Sequence, residues 1–171
     1  DGGQSTGVLL LLSAPSGGGK TTVMQGLLAV EPRLTRVVTC TTRPPRAGEQ
    51  PGIDYHFFSL EEFERRVAAG EFLEHAQVYG NRYGTLKASV ESALASGRDV
   101  VLSLDVQGVA AVQALARSES WLAQSLVTVF LTPRERSELE QRLSGRGADE
   151  PEVIARRLAT ARAEIATWRS F

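Results

Sequence analysis

A glycine-rich decapeptide, Ser-Ala-Pro-Ser-Gly-Gly-Gly-Lys-Thr-Thr, occupies residues 13–22 of the chain. It follows the short apolar run 8–12 and precedes a helical pattern that extends to residue 30. Glycines allow backbone N–H groups to turn inward around an anion, and the N-terminus of the next helix adds partial positive charge. Because three consecutive glycines are poor choices for stability alone, the segment predicts a phosphate-binding loop, or P-loop.

Lysine and threonine at the end of this loop supply its side-chain chemistry. Lys20 is predicted to contact the β and γ phosphates of ATP, and the Thr21 hydroxyl to ligate Mg²⁺. Ala14 stands where the general G-x-x-x-x-G-K-[ST] pattern has glycine, a mild departure if its backbone φ is negative. The residues predicted to bind ATP are Ala14, Pro15, Ser16, Gly17, Gly18, Gly19, Lys20, Thr21 and Thr22.

Short apolar runs alternate with helical patterns along the chain. The runs predicted to be buried parallel strands are 8–13, 99–104 and 126–131. The predicted helices are 21–30, 60–69, 86–96 and 106–117. This alternation predicts an α/β fold. Further predicted strands at 36–41, 54–59 and 72–79 lie outside the alternation and indicate a small mixed subdomain inserted into the parallel core.

Composition narrows the class of partner. The 171 residues fit one domain, and 19 basic against 20 acidic residues favour neither a nucleic acid nor a membrane as partner. Cys40, the one cysteine, has no disulfide partner and no zinc-ligand spacing around it, which favours a reducing, cytoplasmic setting. The apolar run before the P-loop is too short for a signal peptide or a membrane span. The oligomeric state stays open.

Several segments in order resemble the guanylate kinase family. Residues 39–49 and 52–57 look like its GMP-binding segment, and residues 71–76, 79–85 and 104–108 match further family segments. The similarity extends from about residue 9 to residue 168. It implies a three-layer P-loop NTPase fold with a parallel central sheet, an inserted GMP-binding subdomain and a helical lid. The expected ranges are 7–36 and 86–132 for the core, 37–85 for the subdomain and 133–160 for the lid.

The resemblance also implies a GMP site. Its phosphate is expected to bind Arg43, Arg46, Tyr55 and Tyr83, whose guanidinium and phenol groups are suitable donors to a dianion. Glu74 is expected to accept from guanine N1–H and N2–H, which adenine does not offer side by side. Thr39, Thr85 and Asp105 complete the expected guanine contacts. Thr85 replaces the usual serine, and Ser103 stands where the family commonly has a carboxylate.

Arginines near the end of the chain resemble the lid of the same family. Arg142, Arg146 and Arg157 are expected to reach the transferring phosphoryl group, and with Lys20 and Arg43 they form the expected catalytic set. The implied reaction is phosphoryl transfer from ATP to GMP, giving ADP and GDP, in purine nucleotide metabolism. Relatives of this kind continue with a further strand and helix, which this sequence lacks after Phe171.

Taken singly, each of these features has an ordinary structural explanation. A solvated basic turn explains Arg43 and Arg46, rim aromatics explain the tyrosines, and the solvent face of a strand explains Glu74. Their joint order downstream of a P-loop favours the kinase. Two alternatives remain: a ribose 1,5-bisphosphate phosphokinase, and a non-catalytic guanylate-kinase-like module that binds proteins.

Overall fold

The structure, a computed structural model, describes residues 7–15, 17–133, 135, 137–138, 141 and 151–171. Ser16, Arg142 and Arg146, all predicted site residues, lie outside this part of the chain. The strands are β1 Leu9–Ser13, β2 Leu34–Thr35, β3 Thr39–Thr41, β4 Tyr55–Phe57, β5 Phe72–Val78, β6 Asn81–Leu86, β7 Asp99–Ser103 and β8 Leu126–Phe130. The helices are α1 Lys20–Val30, α2 Leu60–Ala68, α3 Lys87–Ala95, α4 Val106–Ala116, α5 Ser120–Ser125 and α6 Pro151–Ala166, and a 3₁₀ turn spans Trp168–Ser170.

A parallel sheet with the order β2-β7-β1-β8 forms the centre of the molecule. One of its two inner strands, β1, pairs with β7 and β8 and carries Leu9 and Leu11, which have no exposed surface. Helical side chains such as Val90, Val109 and Leu122 complete the main core around them. This architecture confirms the predicted α/β fold with a parallel central sheet.

A second sheet, with the order β4-β3-β6-β5, has mixed strand directions. β3 and β4 are parallel, whereas β6 is antiparallel to both β3 and β5. Cys40, Phe63 and Phe72 form a small buried cluster in which the rings of the two phenylalanines lie 4.4 Å apart. Since Phe63 belongs to α2, this cluster joins that helix to one face of the mixed sheet and leaves the other face available for a site.

The predicted strand 36–41 is wrong in its extent. Only Thr39–Thr41 is a strand, while the preceding strand, Leu34–Thr35, belongs to the other sheet. Thr35 pairs with Val100 in the central sheet, and Thr39 pairs with Tyr55 in the mixed sheet. The chain therefore changes sheets within this apolar stretch, and apolar content alone does not reveal such a change.

Two further elements were missed by the sequence patterns. β6 contains Gly84, which weakens a strand signal. A Cβ atom at Gly84 would lie 2.8 Å from Phe72 Cδ1 and 2.9 Å from the Glu74 carbonyl oxygen, so close packing against β5 requires glycine there. The short helix α5, Ser120–Ser125, also lacked a clear signal. Among the described residues, no helix combines the length and apolar character needed to cross a bilayer.

We predict that Leu11→Ala lowers the free energy of unfolding by about 2–5 kcal/mol, because it opens a cavity beside β1, an inner strand of the central sheet. Urea denaturation followed by circular dichroism measures this. Val30→Ala, at a side chain that is 77% exposed at the end of α1, is the matched control and should change stability by less than about 0.5 kcal/mol. Equal effects of the two substitutions would contradict the assigned core.

Candidate active site

The P-loop connects β1 to α1 in a conformation that only glycine adopts easily. Gly17 and Gly19 have φ values of 79° and 89°, in the left-handed region. Gly18 donates its N–H to the Pro15 carbonyl at 2.8 Å, and a Cβ there would lie 2.7 Å from Ala14 Cβ. Ala14 is buried and is not among the residues with positive φ, so its replacement of the usual glycine introduces no backbone strain.

Lys20 lies between the P-loop and the end of β7. Its Nζ donates to the Leu104 carbonyl oxygen at 3.1 Å, across the edge where the parallel strands end. Burial lowers the pKa of the Lys20 ammonium, while the negative charges of Asp105 and Glu164 act in the opposite direction. A cation held over the carboxyl ends of parallel strands, beside a helix N-terminus, is suited to bind phosphate.

The free face of the mixed sheet carries five residues that the sequence assigned to the acceptor site: Thr39, Tyr55, Glu74, Tyr83 and Thr85. Thr39 pairs with Tyr55, Glu74 pairs with Thr85, and Tyr83 pairs with Thr41, two residues from Thr39. Directly paired residues share a face and strands alternate with a period of two, so all five side chains lie on one side. The register thus gathers residues from four strands.

A β-bulge places Glu74 on this face. The register changes between Phe72, which pairs with Leu86, and Glu74, which pairs with Thr85. Both Phe72 and Leu73 are buried as a result, in two different clusters. Thr85 Oγ1 donates to Glu74 Oε1 at 2.7 Å. Burial raises the pKa of the Glu74 carboxyl, and the Thr85 hydrogen bond opposes that shift.

Arg43 is held beside the two tyrosines. Its Cζ lies 5.5 Å from the centroid of the Tyr55 ring, within cation–π distance, and the Tyr55 and Tyr83 rings are 6.3 Å apart. Glu49 accepts from Arg43 Nη2 through both carboxylate oxygens, at 2.8 and 3.0 Å. The hydrogen bonds to Glu49 raise the pKa of the Arg43 guanidinium and lower that of the Glu49 carboxyl. Glu49 carried no role in the sequence interpretation.

A cavity of about 570 Å³ separates this face from the central sheet. Thr39, Tyr55, Glu74, Tyr83 and Thr85 line one side. The opposite side comes from α1, β7 and α4 and includes Met24, Val101, Ser103, Leu104, Asp105 and Gln107. Because Leu104 also accepts from Lys20, the cavity adjoins the P-loop. Met24 and Gln107 had no sequence signal beyond their membership of recognised segments.

The remaining predicted residues take different positions. Asp105 caps α4, with its Oδ1 accepting from the Gly108 N–H at 2.7 Å, so one of its oxygens already has a structural partner. Arg46 is exposed, and its backbone N–H donates to Glu49 Oε2 at 2.7 Å. Arg157 is half-buried on α6. Arg46 and Arg157 are not among the residues that line the cavity.

Comparison with known proteins gives the family. A guanylate kinase family model matches residues 6–171. The chain belongs to the guanylate kinase family. The guanylate kinase of Alkalilimnicola ehrlichii is 43% identical over 165 residues, which are 96% of this chain and 78% of that protein. The guanylate kinase of Anaeromyxobacter dehalogenans is 48% identical over 160 residues, which are 94% and 68% of the two chains.

A solved structure agrees with these relatives. The crystal structure of guanylate kinase from Anaplasma phagocytophilum matches with a TM-score of 0.64 and 30% identity, over 98% of this chain and 74% of that one. The predictions of family, of fold class and of an enzyme of the nucleoside monophosphate kinase type are therefore confirmed. In this guanylate kinase family member, the cavity and the P-loop meet at one edge of the central sheet.

Cys40 lies on β3 between the cavity face and α2, and we predict that it is unreactive in the native state. Its side chain has no exposed surface, and burial raises the pKa of the thiol to about 12. At pH 8 the thiolate fraction is then about three orders of magnitude below that of an exposed cysteine, and the thiolate is the reactive form. Rates of modification by a disulfide reagent, with and without 6 M guanidinium chloride, measure this; rapid labelling without denaturant would contradict the burial.

Proposed function

We propose that this chain transfers the γ-phosphoryl group of ATP to GMP and releases ADP and GDP. The observation that carries the proposal is the adjacency of the P-loop to a cavity whose far side presents Glu74 and the Tyr55–Tyr83 pair. A phosphate donor and a guanine nucleotide acceptor bound there face each other across the edge of the central sheet. The reaction belongs to purine nucleotide metabolism, and the lone buried thiol of Cys40 fits a reducing, cytoplasmic setting.

The mixed sheet binds the acceptor. Arg43, Arg46, Tyr55 and Tyr83 donate to the GMP phosphate, while Glu74 accepts from guanine N1–H and N2–H. Thr85 already donates to one Glu74 oxygen and so orients the carboxylate toward the base. Thr39 and the second oxygen of Asp105 complete the contacts with guanine. A base that lacks these donors leaves a largely buried carboxylate with the Thr85 hydrogen bond but without its partners on the base, which is the origin of selectivity.

The P-loop binds the donor. The backbone N–H groups of the P-loop glycines and of the first turn of α1 surround its phosphates, and Lys20 exchanges the Leu104 carbonyl for phosphate oxygens. Since γ-phosphoryl transfer is catalysed by positioning and charge neutralisation, it needs no covalent enzyme intermediate. Arg142, Arg146 and Arg157 supply further positive charge from the lid once both substrates are bound.

Mg²⁺ fits the donor side. Among the described residues no cluster of three or more His, Cys, Asp or Glu side chains forms a metal site. Mg²⁺ in kinases keeps several waters and takes most of its other ligands from phosphates, so a single exposed hydroxyl, that of Thr21, suffices from the protein. When bound, the ion neutralises negative charge on the nucleotide phosphates.

Coupled ADP production tests the proposal directly, with MgATP and each of GMP, AMP and ribose 1,5-bisphosphate as acceptor. Turnover with GMP alone supports it. Turnover with the sugar bisphosphate alone would identify the alternative phosphokinase, and silence with all three acceptors would favour a binding module.

We predict that Glu74→Gln raises the KM for GMP about 10- to 100-fold and weakens the preference for GMP over AMP, because an amide accepts through only one of its two terminal atoms. The same coupled assay measures both quantities. Glu64→Gln removes an exposed ion pair between Glu64 on α2 and Arg82 on β6, and it is the matched control, expected to leave both quantities unchanged. An unchanged preference in Glu74→Gln would remove Glu74 from base recognition.

The pH dependence of the KM for GMP, measured for the unsubstituted chain and for Glu74→Gln, is a second test of Glu74. Because burial raises the pKa of Glu74 above 4.5, the carboxylate needed for GMP is lost as the pH falls through that raised value. The KM of the unsubstituted chain should rise in that window, and that of Glu74→Gln should not. The pH dependence of stability has the opposite sign. The folded chain holds the Glu74 proton more tightly than the unfolded chain does, so the free energy of unfolding falls as the pH rises through the window.

A further inference from the structure

Glu49 lies in the loop between β3 and β4, next to the residues proposed to bind the acceptor phosphate. We propose that Glu49 is a positioning residue that holds Arg43 in the orientation required to bind the phosphate of GMP. The inference rests on the proposed function and adds to it a residue that never touches the substrate.

The Glu49 carboxylate accepts three hydrogen bonds, two from the Arg43 guanidinium and one from the Arg46 backbone. Oε1 and Oε2 accept from Arg43 Nη2 at 2.8 and 3.0 Å, and Oε2 also accepts from the Arg46 backbone N–H at 2.7 Å. Through a second nitrogen, Nη1, Arg43 donates to the Pro44 carbonyl at 2.7 Å. A guanidinium has five N–H donors, so these contacts fix its plane and still leave donors for a phosphate.

Burial and ring contacts make this arrangement more rigid. The Arg43 and Glu49 side chains are only 13% and 20% exposed. Arg43 also lies over the Tyr55 ring, whose phenol belongs to the same proposed phosphate site. Arginine loses much rotamer freedom when it binds a ligand, and a guanidinium already held in place loses less.

Electrostatics alone would disfavour Glu49 here. A carboxylate beside an anion site repels the incoming phosphate. Its charge therefore weakens GMP binding unless the binding free energy gained by ordering the arginine is larger. The two arginines carry a charge of +2 and Glu49 reduces it to +1, which still complements a phosphate dianion. We therefore expect that removal of the carboxylate weakens GMP binding, although it removes a like charge.

The loop itself does not depend on the Glu49 side chain alone. Glu49 N donates to the Arg46 carbonyl at 3.1 Å, Gln50 N donates to Asp54 Oδ2 at 2.7 Å, and Asp54 N donates to the Gln50 carbonyl at 3.0 Å. These bonds remain after substitution of the carboxylate. The expected defect is thus in the orientation of Arg43 and not in the fold of the loop.

Glu49→Gln tests the proposal, since the amide keeps the size of the side chain but accepts through one atom only. We expect the KM for GMP to rise about tenfold or more, because hydrogen bonds between charged groups are lost, while the KM for ATP stays within about twofold. The matched control is Glu62→Gln, whose carboxylate binds Arg65 and Arg66 on α2 with the same kind of contacts. The control should leave both KM values unchanged.

Guanosine separates positioning from general damage. It presents the base without the phosphate, so its inhibition constant should be the same for Glu49→Gln and the unsubstituted chain. Equal weakening of GMP and guanosine, or a lowered melting temperature with a raised KM for ATP, would make Glu49 merely structural. Tighter GMP binding by Glu49→Gln would show that the Glu49 carboxylate competes with the GMP phosphate for Arg43, and this would overturn the proposal. An unchanged KM for GMP would also overturn it.

A double-mutant cycle with Arg43→Lys supplies the last criterion. If Glu49 acts through the Arg43 guanidinium, its removal should have little further effect when lysine replaces that group, and the two effects should be non-additive. Additive effects would contradict the inference. Turnover of the unsubstituted chain with GMP is measured first: its absence would overturn the proposed function, whereas turnover with an unaffected Glu49→Gln variant overturns this inference alone.

Discussion

The pairing of β1 between β7 and β8 is the constraint on which the rest of the structure depends. Parallel pairing aligns the carboxyl ends of these strands, so the P-loop that follows β1 and the Leu104–Asp105 segment that follows β7 emerge at the same edge. Leu9 and Leu11 are fully buried, and their burial keeps this strand in the middle of the sheet. The hydrogen bond from Lys20 to Leu104 exists only because the two strand ends are neighbours.

The mixed sheet has two different faces, an apolar face packed against α2 and a face with polar side chains that lines the cavity. One side is closed by α2 through Cys40, Phe63 and Phe72, so the opposite side is available to line the cavity. Close approach of β5 and β6 requires glycine at position 84, and the bulge after Phe72 then directs Glu74 toward the cavity. Burial of this carboxylate raises its pKa. A hydrogen bond to a partly desolvated acceptor is stronger than one in water, which supports the role in base recognition proposed for Glu74.

Particular elements show how far the sequence could be interpreted. The strands that became β1, β7 and β8 and the helices α1 to α4 were predicted within one or two residues, because each is long or strongly patterned and ends at glycine, proline or a polar cap. The failures lie where the signal is non-local. The chain changes sheets between Thr35 and Thr39, β6 is masked by Gly84, and the bulge at Leu73 depends on which core receives each side chain. The contact between the Glu49 carboxylate and the Arg43 guanidinium was missed for another reason, because the two residues lie in an irregular loop whose geometry has no regular sequence pattern.

The sequence by itself determined the P-loop, the α/β alternation and the identity of the residues that match guanylate kinases, since these depend on local composition and order. Only the tertiary structure decided which of those residues share a cavity. Strand register brought Thr39, Tyr55, Glu74, Tyr83 and Thr85 to one face. The physical reason is that strand register and bulges arise from packing of the whole chain, which no local window of sequence contains.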